Sequence, residues 1–162
     1  MNSSSYRTID KCRVCVSRNL SSILSLGDLY VSDFLGSPDN SKGIKAPLEL
    51  VLCNVKDGGC GLLQLRHTVS NEAMYRNYWY RSGINKTMTD ELNGIADKAA
   101  TIANLRAQDY VIDIGANDGT LLRGYKLPSL NTVGFEPALN LGGYNKQGTT
   151  KIIADFFTQP AW

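Results

Sequence analysis

Hydrophobic positions fall into distinct patterns along the chain. Pro47-Leu-Glu-Leu-Val-Leu-Cys53 and Leu62-Leu-Gln-Leu65 are apolar or alternating stretches too short for helices, and they predict short strands. Between Asn19 and Leu35 serines interrupt brief apolar runs, predicting extended segments and turns, and Gly36 to Gly43 predicts a plain loop. Asn71 to Tyr80 predicts a short helix, with Asn71 able to cap it and Glu72 in its first turn, ending in the aromatic group Tyr75, Tyr78, Trp79 and Tyr80. From Ile84 the period changes. Ile84, Met88, Leu92, Ile95, Ala99 and Ile102 recur at steps of four and three, predicting a helix to about Leu105 whose apolar stripe packs into a core. Thr87 with Asp90 offers its cap. Val111, Ile112 and Ile114 then suit a buried parallel strand. Asn131 to Glu136 and Lys151 to Asp155 predict a second and a third strand, with Pro137 opening a helical turn at Ala138.

Composition narrows the class without naming a function. The chain has 162 residues, 43% of them hydrophobic and 20% charged, as in an ordinary globular protein. Its formal charge of +2 is spread over scattered Lys and Arg, so no nucleic-acid partner is expected. No run approaches the roughly 18 apolar residues of a membrane span and no export signal opens the chain, so a cytoplasmic protein without a membrane partner is expected.

Four cysteines change the picture more. Cys12 and Cys15 form a C-x2-C knuckle, and Cys53 and Cys60 form a C-x6-C pair that Gly58 and Gly59 allow to turn back tightly. In a reducing compartment such pairs are expected to hold one Zn(II) through four thiolates rather than to form disulfides. Four sulfurs complete a tetrahedron, so the metal is structural and His67, the one histidine, is not expected among its ligands.

The stretch Tyr110-Val-Ile-Asp-Ile-Gly-Ala-Asn-Asp-Gly119 joins a strand to a helix through a glycine-bracketed loop, the order a Rossmann-like nucleoside site requires. It is not G-x-G-x-x-G, and Asp113 and Asp118 would repel a pyrophosphate. Asn117 tolerates the left-handed conformation where a glycine is common. The sulfonium and ammonium of S-adenosylmethionine suit these carboxylates better than a dinucleotide does. Glu136, about 20 residues on, stands where a carboxylate takes the ribose hydroxyls, and Asp155 ends the third strand. Tyr78 and Tyr80, beside Arg81, Ser82 and Gly83, offer hydroxyls at the edge of a polar-substrate site.

Together C-R-V-C, C-x6-C-G-L-L-Q-L, Y-W-Y-R-S-G-I-N-K-T-M, D-I-G-A-N-D-G-T-L-L and V-G-F-E-P-A resemble the class I S-adenosylmethionine-dependent C-methyltransferases of nucleotide-linked deoxysugars. The resemblance implies an N-terminal zinc-binding domain, a Rossmann-like methyltransferase domain and a C-terminal domain. It also implies a nucleotide-linked 4-keto sugar, methylated beside the keto group after a base removes a proton. By that likeness zinc falls on Cys12, Cys15, Cys53 and Cys60. Cofactor contacts fall on Tyr80, Ser82, Asp113, Gly115, Asn117, Gly119, Glu136 and Asp155, and Tyr78 and Tyr80 are the candidate catalytic groups. The acid/base histidine of that family has no counterpart here, so the chain reads as a fragment whose partner is the missing C-terminal half.

The expected fold is therefore α/β, with a zinc-ribbon-like domain at 1–70, a helical connector bearing the Tyr/Ser turn at 71–108, and the first part of a Rossmann-like sheet at 109–162. The alternative is a non-enzymatic zinc-ribbon interaction module with a vestigial α/β tail.

Overall fold

The computed structural model describes residues 6–31 and 43–161. The expected loop at 36–43 lies, but for Gly43, outside the described residues, as do 32–35 at the end of the serine-interrupted stretch. The chain divides into two compact units, Met1–Met74 and Tyr75–Trp162.

In the first unit β2 (Leu20–Tyr30), β3 (Lys45–Cys53) and β4 (Leu63–Leu65) make an antiparallel sheet in that order, and β1 (Tyr6–Thr8) pairs with β5 (His67–Val69). The stretch from Asn19, expected as several extended pieces, is one 11-residue strand up to Tyr30. Its register slips between Ser22 and Leu24 and between Ser25 and Asp28, where Gly27 takes a φ of 69°. Bulges of this kind let the serine-rich edge strand bend without losing its pairing. Residues 50 and 52 of β3 share a face opposite to 51 and 53. Val51 and Cys53 are fully buried, so that inner face is the one that carries Cys53.

α1 (Asn71–Tyr75) is shorter than expected, and Ser70 rather than Asn71 accepts the Ala73 N–H at its start. α2 (Lys86–Ile102) is capped by Asn85, whose side chain accepts the Met88 N–H at 3.2 Å, and not by Thr87. The stripe expected in the core is a correction: Ile84, Met88, Ile95 and Ile102 are exposed, and the wholly buried position is Ala96. α2 packs on α3 (Thr120–Gly124) through its small residues instead, since a Cβ at Gly124 would stand 2.9 Å from Ala96 Cβ. Periodicity identifies a helix, but close approach of backbones selects which face is covered.

The second sheet is parallel, in the order β6 (Tyr110–Ile114), β7 (Asn131–Phe135), β8 (Lys151–Ile153). β7 is central and buried from Thr132 to Phe135. β6 is an edge strand and alternates, with Tyr110, Ile112 and Ile114 on an exposed face, so the uniformly buried strand expected there is corrected. After Pro137 a single 3-10 turn, Leu139–Leu141, stands where a helix was expected, ahead of Gly142 and Gly143. Among the described residues no helix is long and apolar enough to cross a membrane.

Candidate functional site

The four sulfurs of Cys12, Cys15, Cys53 and Cys60 lie within 4.8 Å of one another. Cys12 and Cys60 are 3.6 Å apart and Cys15 and Cys53 3.4 Å, all as free thiols. Four Zn–S bonds of about 2.3 Å in a tetrahedron set sulfurs about 3.8 Å apart, so this donor set fits one zinc ion. The geometry is built by backbone turns. Gly58 holds a φ of 78°, and at Gly59 a Cβ would stand 2.6 Å from Cys53 Sγ, so both glycines of the C-x6-C turn are required. N–H groups face the sulfurs: Cys60 N donates to Cys53 Sγ at 3.3 Å and Val14 N to Cys12 Sγ at 3.5 Å. The backbone at Cys15 and Val14 pulls the Cys12 thiol down to about 6, while burial pushes Cys53 up to about 11. His67 is outside the cluster and meets the Tyr6 ring edge-on at 5.4 Å.

Gln64 was missed from the sequence. It is buried, donates through Nε2 to Cys12 Sγ at 3.2 Å, and accepts from Arg13 N at 3.1 Å. Its signal was a single polar residue among the leucines of C-G-L-L-Q-L. Such outer hydrogen bonds orient a ligand and delocalise thiolate charge.

In the second unit a cavity of about 310 Å³ opens at the carboxyl end of the parallel sheet. Its base is Ile114, Gly115 and Asn117 after β6, with Phe135, Glu136 and Pro137 after β7. Tyr75 and Tyr78 line one side, and Phe156 and Phe157 another. Gly115 and Gly119 take φ values of 82° and 79°, and Asn117 a φ of 50°, the left-handed turn expected of it. Glu136 is 6% exposed, and each carboxylate oxygen already accepts a backbone N–H, from Asn117 at 2.6 Å and from Ala138 at 2.7 Å. An ionised carboxylate has further lone pairs, so both oxygens remain able to accept from a ligand. Burial raises the Glu136 carboxyl above its usual range, and Asp113 adds to the rise while the two N–H groups oppose it. Burial likewise raises Asp113.

The expected site residues divide. Gly115, Asn117, Glu136 and Tyr78 line the cavity; Tyr80, Ser82, Asp113, Gly119 and Asp155 are outside its lining. Asn117 also binds the turn that carries Tyr80 and Ser82, donating to Tyr80 O at 2.9 Å and accepting from Ser82 N at 3.0 Å. Asp155 pairs with Arg76 at 2.9 Å, and the Phe156 N–H and that guanidinium hold its carboxyl below the usual range. Gly119 meets the Asn145 backbone, where a Cβ would stand 3.0 Å from Asn145 O. Phe156 and Phe157 were not anticipated, although two aromatics directly after a strand-ending aspartate were available as a signal.

With this geometry in place, residues 12–75 match the family model Methyltransf_13, described as "Putative zinc binding domain". All four clustered thiols fall within the matched residues, and their closeness supports a zinc site there. Over 153 residues the chain is also 29% identical to the C-methyltransferase NovU of Streptomyces niveus, an alignment covering 93% of this chain and 36% of that protein. The chain is thus similar to a C-methyltransferase along nearly its whole length, and spans a little over a third of that relative.

Proposed function

We propose that the chain supplies the zinc-binding and cofactor-binding portion of an S-adenosylmethionine-dependent C-methyltransferase acting in the cytoplasm on a nucleotide-linked 4-keto deoxysugar. The observation that carries the reading is Glu136. It is a buried carboxylate at the end of a central parallel strand, lining a cavity beside a glycine loop with no phosphate-binding residues. Glu136 accepts the ribose hydroxyls, and the left-handed turn at Gly115 and Asn117 brings the backbone close to the ligand. The aromatic and proline walls at Pro137, Phe156 and Phe157 take the apolar face of a nucleoside. When bound, the cofactor supplies an electrophilic methyl group. Tyr78 lines that cavity together with Tyr75, and its hydroxyl would help to orient a sugar. The zinc of Cys12, Cys15, Cys53 and Cys60 is structural, and the cofactor half carries a Rossmann-like sheet.

Isothermal calorimetry with S-adenosylmethionine tests the reading. Binding by the wild-type chain and a loss of about 100-fold in Glu136→Ala are expected, from removal of two charge-assisted hydrogen bonds. Equal heats for both proteins would sink the assignment.

A second reading, a zinc module that docks a protein partner, is favoured by one feature of the first unit. Cross-strand partners put Leu24, Leu50 and Leu65 in a row, with Leu52 and Leu63 beside them on the same sheet face, and Leu24, Leu63 and Leu65 are exposed. Capture of a partner that Leu63→Lys abolishes, with no cofactor binding by the wild type, would support it.

A further inference from the structure

One segment of the second unit has no regular structure for most of its length, yet a series of hydrogen bonds and an ion pair tie it to the carboxyl end of the sheet. Arg76 O accepts the Leu139 N–H at 3.0 Å, and the Arg76 guanidinium reaches Asp155 at 2.9 Å. Tyr78 makes a reciprocal pair with Asn140: its N–H donates to Asn140 Oδ1 at 3.0 Å and its carbonyl accepts from Asn140 Nδ2 at 2.9 Å. Asn117 takes Tyr80 O and Ser82 N, as described, and the Arg81 guanidinium lies 4.1 Å from the centroid of the Tyr144 ring. Gly83 N then donates to Asp118 Oδ2 at 2.8 Å. A Cβ on Gly83 would stand 2.7 Å from Thr120 Oγ1, so the backbone approaches the glycine loop closely. The partners come from the segments that follow β6, β7 and β8 in turn.

We propose that residues 76–83 form a strap laced across the carboxyl end of the sheet, and that Asn140 is a positioning residue that sets ligand affinity by holding Tyr78 in the cavity wall. The inference rests on the cofactor reading of that cavity. Three facts carry it. Asn140 is exposed and outside the cavity lining, so it has no place in direct ligand contact. Its two hydrogen bonds both go to Tyr78, which is in the lining. The only element it belongs to is a single 3-10 turn, Leu139–Leu141, whose own bonds are made by backbone and survive loss of the side chain. A wall fixed in advance spares the ligand the cost of ordering it, so loosening the lace weakens binding without removing a contact atom.

The experiment compares the full chain with Asn140→Ala and Asn140→Asp, by calorimetry with S-adenosylmethionine and by amide hydrogen exchange without ligand. Asn140→Ala should weaken binding about tenfold, the loss of two ordinary hydrogen bonds. It should speed exchange at the Tyr78 amide while leaving the β7 amides protected. Asn140→Asp keeps the acceptor for Tyr78 N and should recover part of both effects. Unchanged exchange at Tyr78 overturns the lace, and faster exchange with wild-type affinity overturns its role in binding. A wild-type chain that gives no heat with S-adenosylmethionine is a different failure, that of the cofactor reading, and it removes the proposed effect on affinity with it.

Discussion

The two units hold their sites by opposite means. In the first, four sulfur atoms from residues 48 positions apart in chain order converge on one point, and the surrounding sheet is thin, with β2 exposed along most of its length. In the second, the cavity is framed by a buried strand and by side chains that bond backbone: Glu136 to Asn117 and Ala138, Asn117 to Tyr80 and Ser82, Asp118 to Gly83. The first arrangement would concentrate its stability in one ion, and the second distributes it over many weak bonds. A single lost atom should therefore collapse the first and only loosen the second.

The largest effect expected is that of removing the metal. Treatment with a chelator, or Cys53→Ser, should abolish about one bound zinc per chain and strip amide protection from β2, β3 and β4, because structural zinc sites contribute on the order of 10 kcal/mol to folding. Protection in β6, β7 and β8 should persist, and its simultaneous loss would erase the contrast between the units. Next comes Gly134→Val in β7. A Cβ there would meet Ile152 Cδ1 at 2.7 Å and Ala116 Cβ at 2.8 Å, so overpacking should cost about 1–3 kcal/mol in a thermal melt while zinc content stays the same.

A smaller, graded effect follows from Glu136. Burial raises its carboxyl above the usual value of 4.5, so the folded state favours the protonated form. As pH falls through that raised value, cofactor affinity should decline, because a protonated carboxyl loses acceptor strength. The contribution of this group to folding stability should rise over the same interval, being fully present at low pH and lost as pH climbs through the raised value. Calorimetry and melting temperature from pH 7.5 down to pH 5 should move in opposite directions, and Glu136→Gln should flatten both slopes. The smallest effect expected is at the exposed Lys86–Asp90 pair, where Lys86→Ala should leave the melting temperature unchanged within error.

These contrasts also explain what could be read from the sequence. Cys12, Cys15, Cys53 and Cys60 were legible because one atom type does the work and short spacing places it. Asn117 was legible because few residues other than glycine enter the left-handed region. The exposed stripe on α2 was misread, since a 3.6-residue period reports that a helix has an apolar face and not that something covers it. Ala96 and Gly124, which allow α2 and α3 to touch, carry almost no hydrophobic signal. The bond between Asn140 and Tyr78 joins residues 62 positions apart and uses a side chain and a backbone that look unremarkable in either segment. Nothing local announces a contact of that kind.

The same difference in reach has a consequence in time. The ladders of the parallel sheet join residues 21 apart between β6 and β7 and 18 apart between β7 and β8, as at Tyr110 with Asn131 and Val133 with Lys151. Cys12 must find Cys60 across 48. Short loops close with less entropy loss and local topologies fold faster. The parallel sheet thus closes over the shorter loops, while the cysteine module faces a longer search that zinc would end by capture.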